Sequence, residues 1–174
     1  MSSTDIKALK AGLADFIEAG RLIDDPLRTL AYGTDASFYR LVPQLVVKVV
    51  DEQEVSRLLR LADRYRTPLT FRAAGTSLSG QAITDSVLVM LDGDAWRDYA
   101  VSDDAGSIRL QPGIIGAQAN RYLAPHQRKI GPDPASLEAC KIGGVAANNA
   151  SGMCCGVSQN SYQTLQSMRL ILAD

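Results

Sequence analysis

The sequence predicts an α+β fold: an N-terminal βαβ subdomain, in which helices flank a small parallel sheet, followed by a second α+β subdomain. Three observations carry this. A strand, a helix and a second strand follow one another within thirty residues, between Leu45 and Arg72. That spacing implies a crossover connection and parallel strands. A Gly- and Ser-rich loop follows the second strand. A segment of almost uniformly small residues, Ile142 to Gly152, lies among short elements further on. At 174 residues the chain is long enough for one substantial core.

Ile6, Leu9, Leu13 and Phe16 repeat at helical spacing, with Ser3 and Thr4 as candidate caps and Gly20 as a stop. A helix over about 5–19 is expected. From Asp24 to Gln44 the apolar period is lost and two prolines appear, as in a linking segment laid over the surface. Residues 1–40 are therefore read as helix plus linker, and 41–174 as the main domain. Leu45 to Val50 (LVVKVV) is nearly continuous and β-branched, as a strand covered on both faces requires. Asp51 stands three residues before Glu54, a capping arrangement, and Val55, Leu58, Leu59 and Ala62 continue a helix over 52–65. Pro68 prevents its continuation, and Leu69 to Arg72 forms the second strand. Strands follow at 87–91 and 107–111, a helix at 116–124, a rigid turn at Pro132-Asp133-Pro134, and a closing strand within 165–172, where Met168, Leu170 and Leu172 alternate.

Composition is that of an ordinary folded protein, 46% apolar and 21% charged, with net charge −1. Such a balance offers no general field for nucleic acid. No apolar run reaches membrane-spanning length, and the N-terminus lacks a signal layout. A cytoplasmic protein is expected, with peripheral attachment to the inner membrane left open. Cys140, Cys154 and Cys155 have no metal or disulfide spacing and are read as buried reduced thiols; no metal site is expected.

The chemistry centres on Arg72 to Gly80 (RAAGTSLSG). Gly75 and Gly80 have the glycine spacing of a phosphate-binding loop after a strand, but Gln81-Ala82 stands where a nucleotide hydrolase needs Lys and then Ser or Thr. What remains is a loop whose N–H groups, with the hydroxyls of Thr76, Ser77 and Ser79, can hold a diphosphate without attacking it. The competing reading is a plain connection between strands. Arg72 could offset phosphate charge, or be a solvated or salt-bridged strand end. In GGVAANNASG (Gly143 to Gly152) small side chains would let backbone approach a flat ligand, with Asn148 and Asn149 offering amides to its edge; tight packing between helix and sheet is the alternative.

Together these residues resemble the FAD-binding domain of the vanillyl-alcohol oxidase and p-cresol methylhydroxylase (PCMH-type) flavoprotein family. The resemblance runs through Tyr32 to Ser37, Pro43, RAAGTSLSGQ, Gln111-Pro112-Gly113, Gly131 to Ser136, and Ile142 to Gly152, covering about 30–174. It implies a diphosphate loop formed by Arg72, Ala73, Ala74, Gly75, Thr76, Ser77, Leu78, Ser79 and Gly80. It also implies a flavin-side turn carrying Pro132, Asp133 and Ser136, and a second FAD segment carrying Gly143, Gly144, Ala147, Asn148, Asn149, Ser151 and Gly152. Ala73-Ala74 departs from a glycine pair common in the family, and Gln163 after Tyr162 stands where many relatives have Gly.

Within the family, ACKIGGVAANNASGMCCG and NSYQTLQSMRLILAD are most similar to bacterial FAD- and iron–sulfur-containing dehydrogenases of D-lactate and other D-2-hydroxy acids. That implies an FAD-dependent oxidoreductase acting on CH–OH groups. The reading includes a truncated C-terminal end, with the substrate cap, its catalytic groups and any iron–sulfur cluster in a missing downstream region. Non-covalent FAD is expected, because the single histidine, His126, falls outside the flavin motifs and reads as a surface or capping residue. The electron acceptor stays open. The alternative function is a non-catalytic nucleotide-binding domain with a lysine-less P-loop.

Overall fold

The computed structural model describes residues 3–173 and resolves two compact units, one of residues up to Gly93 together with 170–173, the other of Asp94 to Arg169. In the first unit, α1 (Ser3–Leu13), β1 (Leu22–Ile23), α2 (Pro26–Ala31), β2 (Leu45–Val49), α3 (Glu52–Arg64), β3 (Leu69–Arg72) and β4 (Val87–Leu91) follow in order. The sheet order is β1-β2-β4-β3. β4 lies parallel to both β2 and β3, and β1 is antiparallel to β2 at the edge.

The apolar run in β2 finds its reason in this sheet. Val46 packs with Ile23 and Leu88 on one face, beside Tyr32 and Met90. Leu45 and Val47, which sit opposite Val87 and Val89 in the ladder, point to the other face, and all four are fully buried. The predicted parallel strands are present, but β4 inserts between β2 and β3. Neighbouring parallel strands need a crossover of a dozen or more residues. Between β3 and β4 that crossover is the glycine loop itself, since residues 73–86 contain no helix.

α3 starts where the capping pattern places it, with the Asp51 carboxylate accepting from Glu54 N–H at 2.8 Å. The Glu54 side chain does not return the bond to Asp51. It is buried and accepts from Val50 N–H (2.9 Å) and from both Nη atoms of Arg21 (2.7 and 2.8 Å), while Arg21 also donates to the Lys48 carbonyl. The hydrogen bond to Glu54 outweighs the opposing effect of burial and holds the Arg21 pKa above its ordinary value. This buried pair ties the entry to β1, the end of β2 and the start of α3 together.

The second unit holds β5 (Tyr99–Val101) and β6 (Ile108–Leu110), an antiparallel pair, then α4 (Gly116–Leu123), α5 (Ile142–Ala147) and α6 (Ser161–Thr164). Tyr99 and Tyr122 stack with ring centroids 3.7 Å apart.

Four expectations need correction. α1 begins at Ser3, so Ser3 and Thr4 are in its first turn, and it ends at Leu13; Ile17 is buried from the turns that follow. The linking segment contains α2, with Pro26 at its first position and Asp25 as N-cap accepting from Arg28 N–H. The closing strand within 165–172 is absent. Its residues carry no ladder among the described residues, and Leu165, Met168, Leu170 and Leu172 are exposed. Alternation favours an extended chain, but a strand also needs a neighbour's N–H and C=O groups. Cys140 and Cys155 are buried as expected, whereas Cys154 is exposed.

Candidate functional site

The loop after β3 is anchored from inside. The Arg72 guanidinium is 6% exposed and donates from Nε to the Ala82 carbonyl (2.7 Å) and from Nη2 to the Tyr32 carbonyl (2.9 Å). Burial lowers its pKa, opposed by the Asp35 carboxylate. Among the described residues Arg72 is thus neither a solvated strand end nor a partner in an ion pair; it joins the two ends of the loop to the segment after α2.

That segment is the loop's second support. Asp35 accepts from Ser37 N–H (2.8 Å) and Ala82 N–H (3.4 Å), and Ala36 N–H donates to the Gly75 carbonyl (3.0 Å). Partial burial pushes the Asp35 pKa up, but the bonds from Ser37 and Ala82 and the charge of Arg72 together hold it below the usual carboxylate value. Gly75 and Gly80 sit at φ +72° and +70°, the left-handed region where a side chain is strained. A Cβ on Gly80 would also stand 2.9 Å from Cδ2 of Tyr39.

With its backbone fixed this way, the loop keeps its donors open. The N–H groups of Ala74, Gly75, Thr76, Ser77, Leu78 and Gly80 have no acceptor among the described residues. The Ser77 hydroxyl is engaged inside the loop, donating to Gln81 Oε1 (2.8 Å) and accepting from Ser79 N–H (3.2 Å). The Thr76 and Ser79 hydroxyls make no hydrogen bond to a described residue. Successive amides without acceptors, beside left-handed turns, are the donors that an anion-binding concavity requires, and their number is enough for the oxygens of a diphosphate. A cavity of about 360 Å³ opens at its end, lined by Tyr39, Arg40, Leu41, Ser79, Gly80 and Ile83.

The P-loop alternative fails on topology as well as on the missing lysine. That motif delivers its phosphate into the N-terminus of a helix. Here the chain turns after Gly80 and enters β4 with no helix between.

The second glycine-rich segment is built differently. Ile142 N–H donates to the Ile114 carbonyl, Gly143 N–H to Pro112 (2.9 Å), Asn148 N–H to Gly144, Asn149 N–H to Ala146 and Ala150 N–H to Val145. A Cβ on Gly143 would press on Pro112, and one on Gly152 would overlap the carbonyl of Asp133. These two glycines admit neighbouring backbone, which is the packing alternative. The Asn149 amide oxygen accepts from Tyr162 N–H (2.9 Å), whereas Ala147, Asn148 and Ser151 are exposed. In the turn, Pro132 is buried and Asp133 accepts from Cys155 N–H (3.1 Å). The Cys155 bonds hold that carboxylate below its ordinary pKa despite the cost of burial. His126 is exposed at the end of a 3₁₀ turn.

Asp35, Tyr39 and Arg40 were absent from the predicted site residues. The Asp35-x-Ser37 pattern, an Asx turn, was the available signal for the first. Nothing local announces that Tyr39 and Arg40 border the loop.

This fold and loop define a flavoprotein-type domain built to hold a diphosphate-containing cofactor. The profile of the FAD binding domain matches residues 43–174, and the chain belongs to that family. FAD is accordingly its cofactor. The chain is 37% identical over 157 residues to the glycolate oxidase subunit GlcD of Escherichia coli (strain K12), covering 89% of this chain and 32% of that protein. It is 31% identical over 126 residues to D-2-hydroxyglutarate dehydrogenase of the same organism, covering 71% of this chain and 12% of the other. Among solved structures it is similar to an alkyldihydroxyacetonephosphate synthase, with a TM-score of 0.70 at 23% identity over 93% of this chain and 31% of that one. The chain thus spans about a third or less of the relatives it matches.

Proposed function

We propose that this chain is the FAD-gripping part of an oxidoreductase that oxidises the carbinol carbon of a 2-hydroxy acid, D-lactate or another D-2-hydroxy acid. The observation that supports it most is the set of N–H groups at Ala74 to Leu78 and Gly80 that have no acceptor among the described residues, in a loop anchored by Arg72 and Asp35. Bound FAD would supply the redox chemistry by accepting a hydride. The residues of this chain bind and orient: the loop amides and the Thr76 and Ser79 hydroxyls take the diphosphate oxygens. The exposed Asn148 and Ser151, with the turn at Pro132 to Ser136, are assigned to the flavin side.

The substrate class rests on relatives named for glycolate, D-2-hydroxyglutarate and D-lactate, all 2-hydroxy carboxylates. Specificity is assigned to a cap region outside this chain, as is any iron–sulfur cluster; the electron acceptor is not assigned. FAD is read as non-covalent because His126 lies in no flavin motif. A cytoplasmic location is proposed; among the described residues no helix is long and apolar enough to cross a membrane.

Calorimetric titration of the purified chain with FAD, and separately with MgATP, tests the reading. Saturable FAD binding without ATP binding is expected, and acid precipitation should release the flavin into solution. Magnesium-dependent ATP binding with no FAD binding would overturn it.

A further inference from the structure

We propose that Arg40 supplies the counter-charge for the diphosphate at the Gly80 end of the loop, an inference that rests on the FAD reading of that loop. A diphosphate diester carries two negative charges, and amide donors alone are neutral. Residues 73–80 contain no Lys or Arg. Arg72, the cation nearest in sequence, is buried with Nε and Nη2 on carbonyl oxygens, so it serves the loop's shape.

Arg40 is placed for the missing role. It is exposed, lines the cavity together with Ser79 and Gly80, and has no ion-pair partner among the described residues. Its backbone is fixed by a bridge to Thr34, by Leu41 N–H on the Gly33 carbonyl (3.1 Å), and by the Ala36 bond to Gly75. The missing Cβ of Gly80 lets the neighbouring Tyr39 ring lie directly on the loop. A planar guanidinium at that point can meet phosphate oxygens with two parallel N–H bonds.

The test is FAD titration of the full chain, read by flavin fluorescence, at about 20 and 300 mM salt, a range over which exposed charge pairs become screened. Arg40→Gln is compared with Arg28→Gln, an exposed arginine on α2. Arg40→Gln is expected to weaken FAD binding about tenfold at low salt, with a flatter salt dependence, as loss of a charge-assisted bond requires. Arg28→Gln should stay within about twofold, in line with a remote surface charge. Thermal unfolding without FAD should be the same for all three proteins. Equal FAD affinity and salt slope in wild type and Arg40→Gln overturn this inference alone, and so do equal losses in both variants. Failure of the wild type to bind FAD overturns the reading of the loop, and this inference with it.

Discussion

The two glycine-rich segments resemble each other in composition and differ in what their backbones do. Between Ala74 and Gly80 six N–H groups have no acceptor among the described residues, while the Gly75 carbonyl and the loop's flanks are tied down by Ala36, Arg72 and Asp35. Between Ile142 and Gly152 most amides are engaged in α5 and in bonds to Ile114 and Pro112, and the glycines admit neighbouring backbone. Small residues serve close approach in both. In the second the neighbour is the protein itself; in the first the open amides are left for the ligand proposed above.

The sharpest way to break this contrast is Gly152→Ala. Its methyl would overlap a backbone carbonyl that cannot swing aside, so the expected loss is about 3 kcal/mol of stability or failure to fold, at the severe end of overpacking. Denaturant unfolding measures it, and a near-neutral variant would remove the packing role given to Gly152. Gly75→Val should act on the other axis. The folded protein persists with strain at φ +72°, while FAD affinity falls by about a hundredfold, or 2.7 kcal/mol. Titration of FAD reads this, and full affinity would move the diphosphate elsewhere.

Acid sharpens the comparison further. Asp35 has its folded pKa below its unfolded value, so the stability it contributes is present above the unfolded value near 3.8 and disappears as pH falls through the folded one. Wild type should therefore lose its advantage over Asp35→Asn, about 1 kcal/mol at neutral pH, as pH is lowered below about 4. An advantage that persists unchanged at pH 2.5 would contradict the assignment. The smallest effect is expected at His126→Ala, within about 0.5 kcal/mol in stability and without change in FAD affinity, as for an exposed side chain away from both segments.

The contrast also marks how far the sequence could be read. β2, α3, β3 and β4 were legible because burial on two faces, an amphipathic period and the Asp51 cap are local properties, written into consecutive residues. The two-residue strand β1 and the hairpin strand β5 were not, because pairing partners supplied by other parts of the chain define them. The supposed strand at 165–172 failed for the converse reason: its alternation is real, but no described strand pairs with it. In the candidate site, the loop itself was legible from glycine spacing and the absent lysine. Asp35 left a local signal in its Asx turn but not the place it supports, and Arg40 left none, since both reach the loop from more than thirty residues away.

By itself, then, the sequence determined where a phosphate-holding loop could form and that it lacks the Lys and Ser or Thr of a nucleotide hydrolase, because those facts depend on which side chains are present. Only the tertiary structure decided which amides remain open and which are engaged. A buried amide takes whatever acceptor the fold brings to it, and no local pattern states in advance which distant carbonyl that will be.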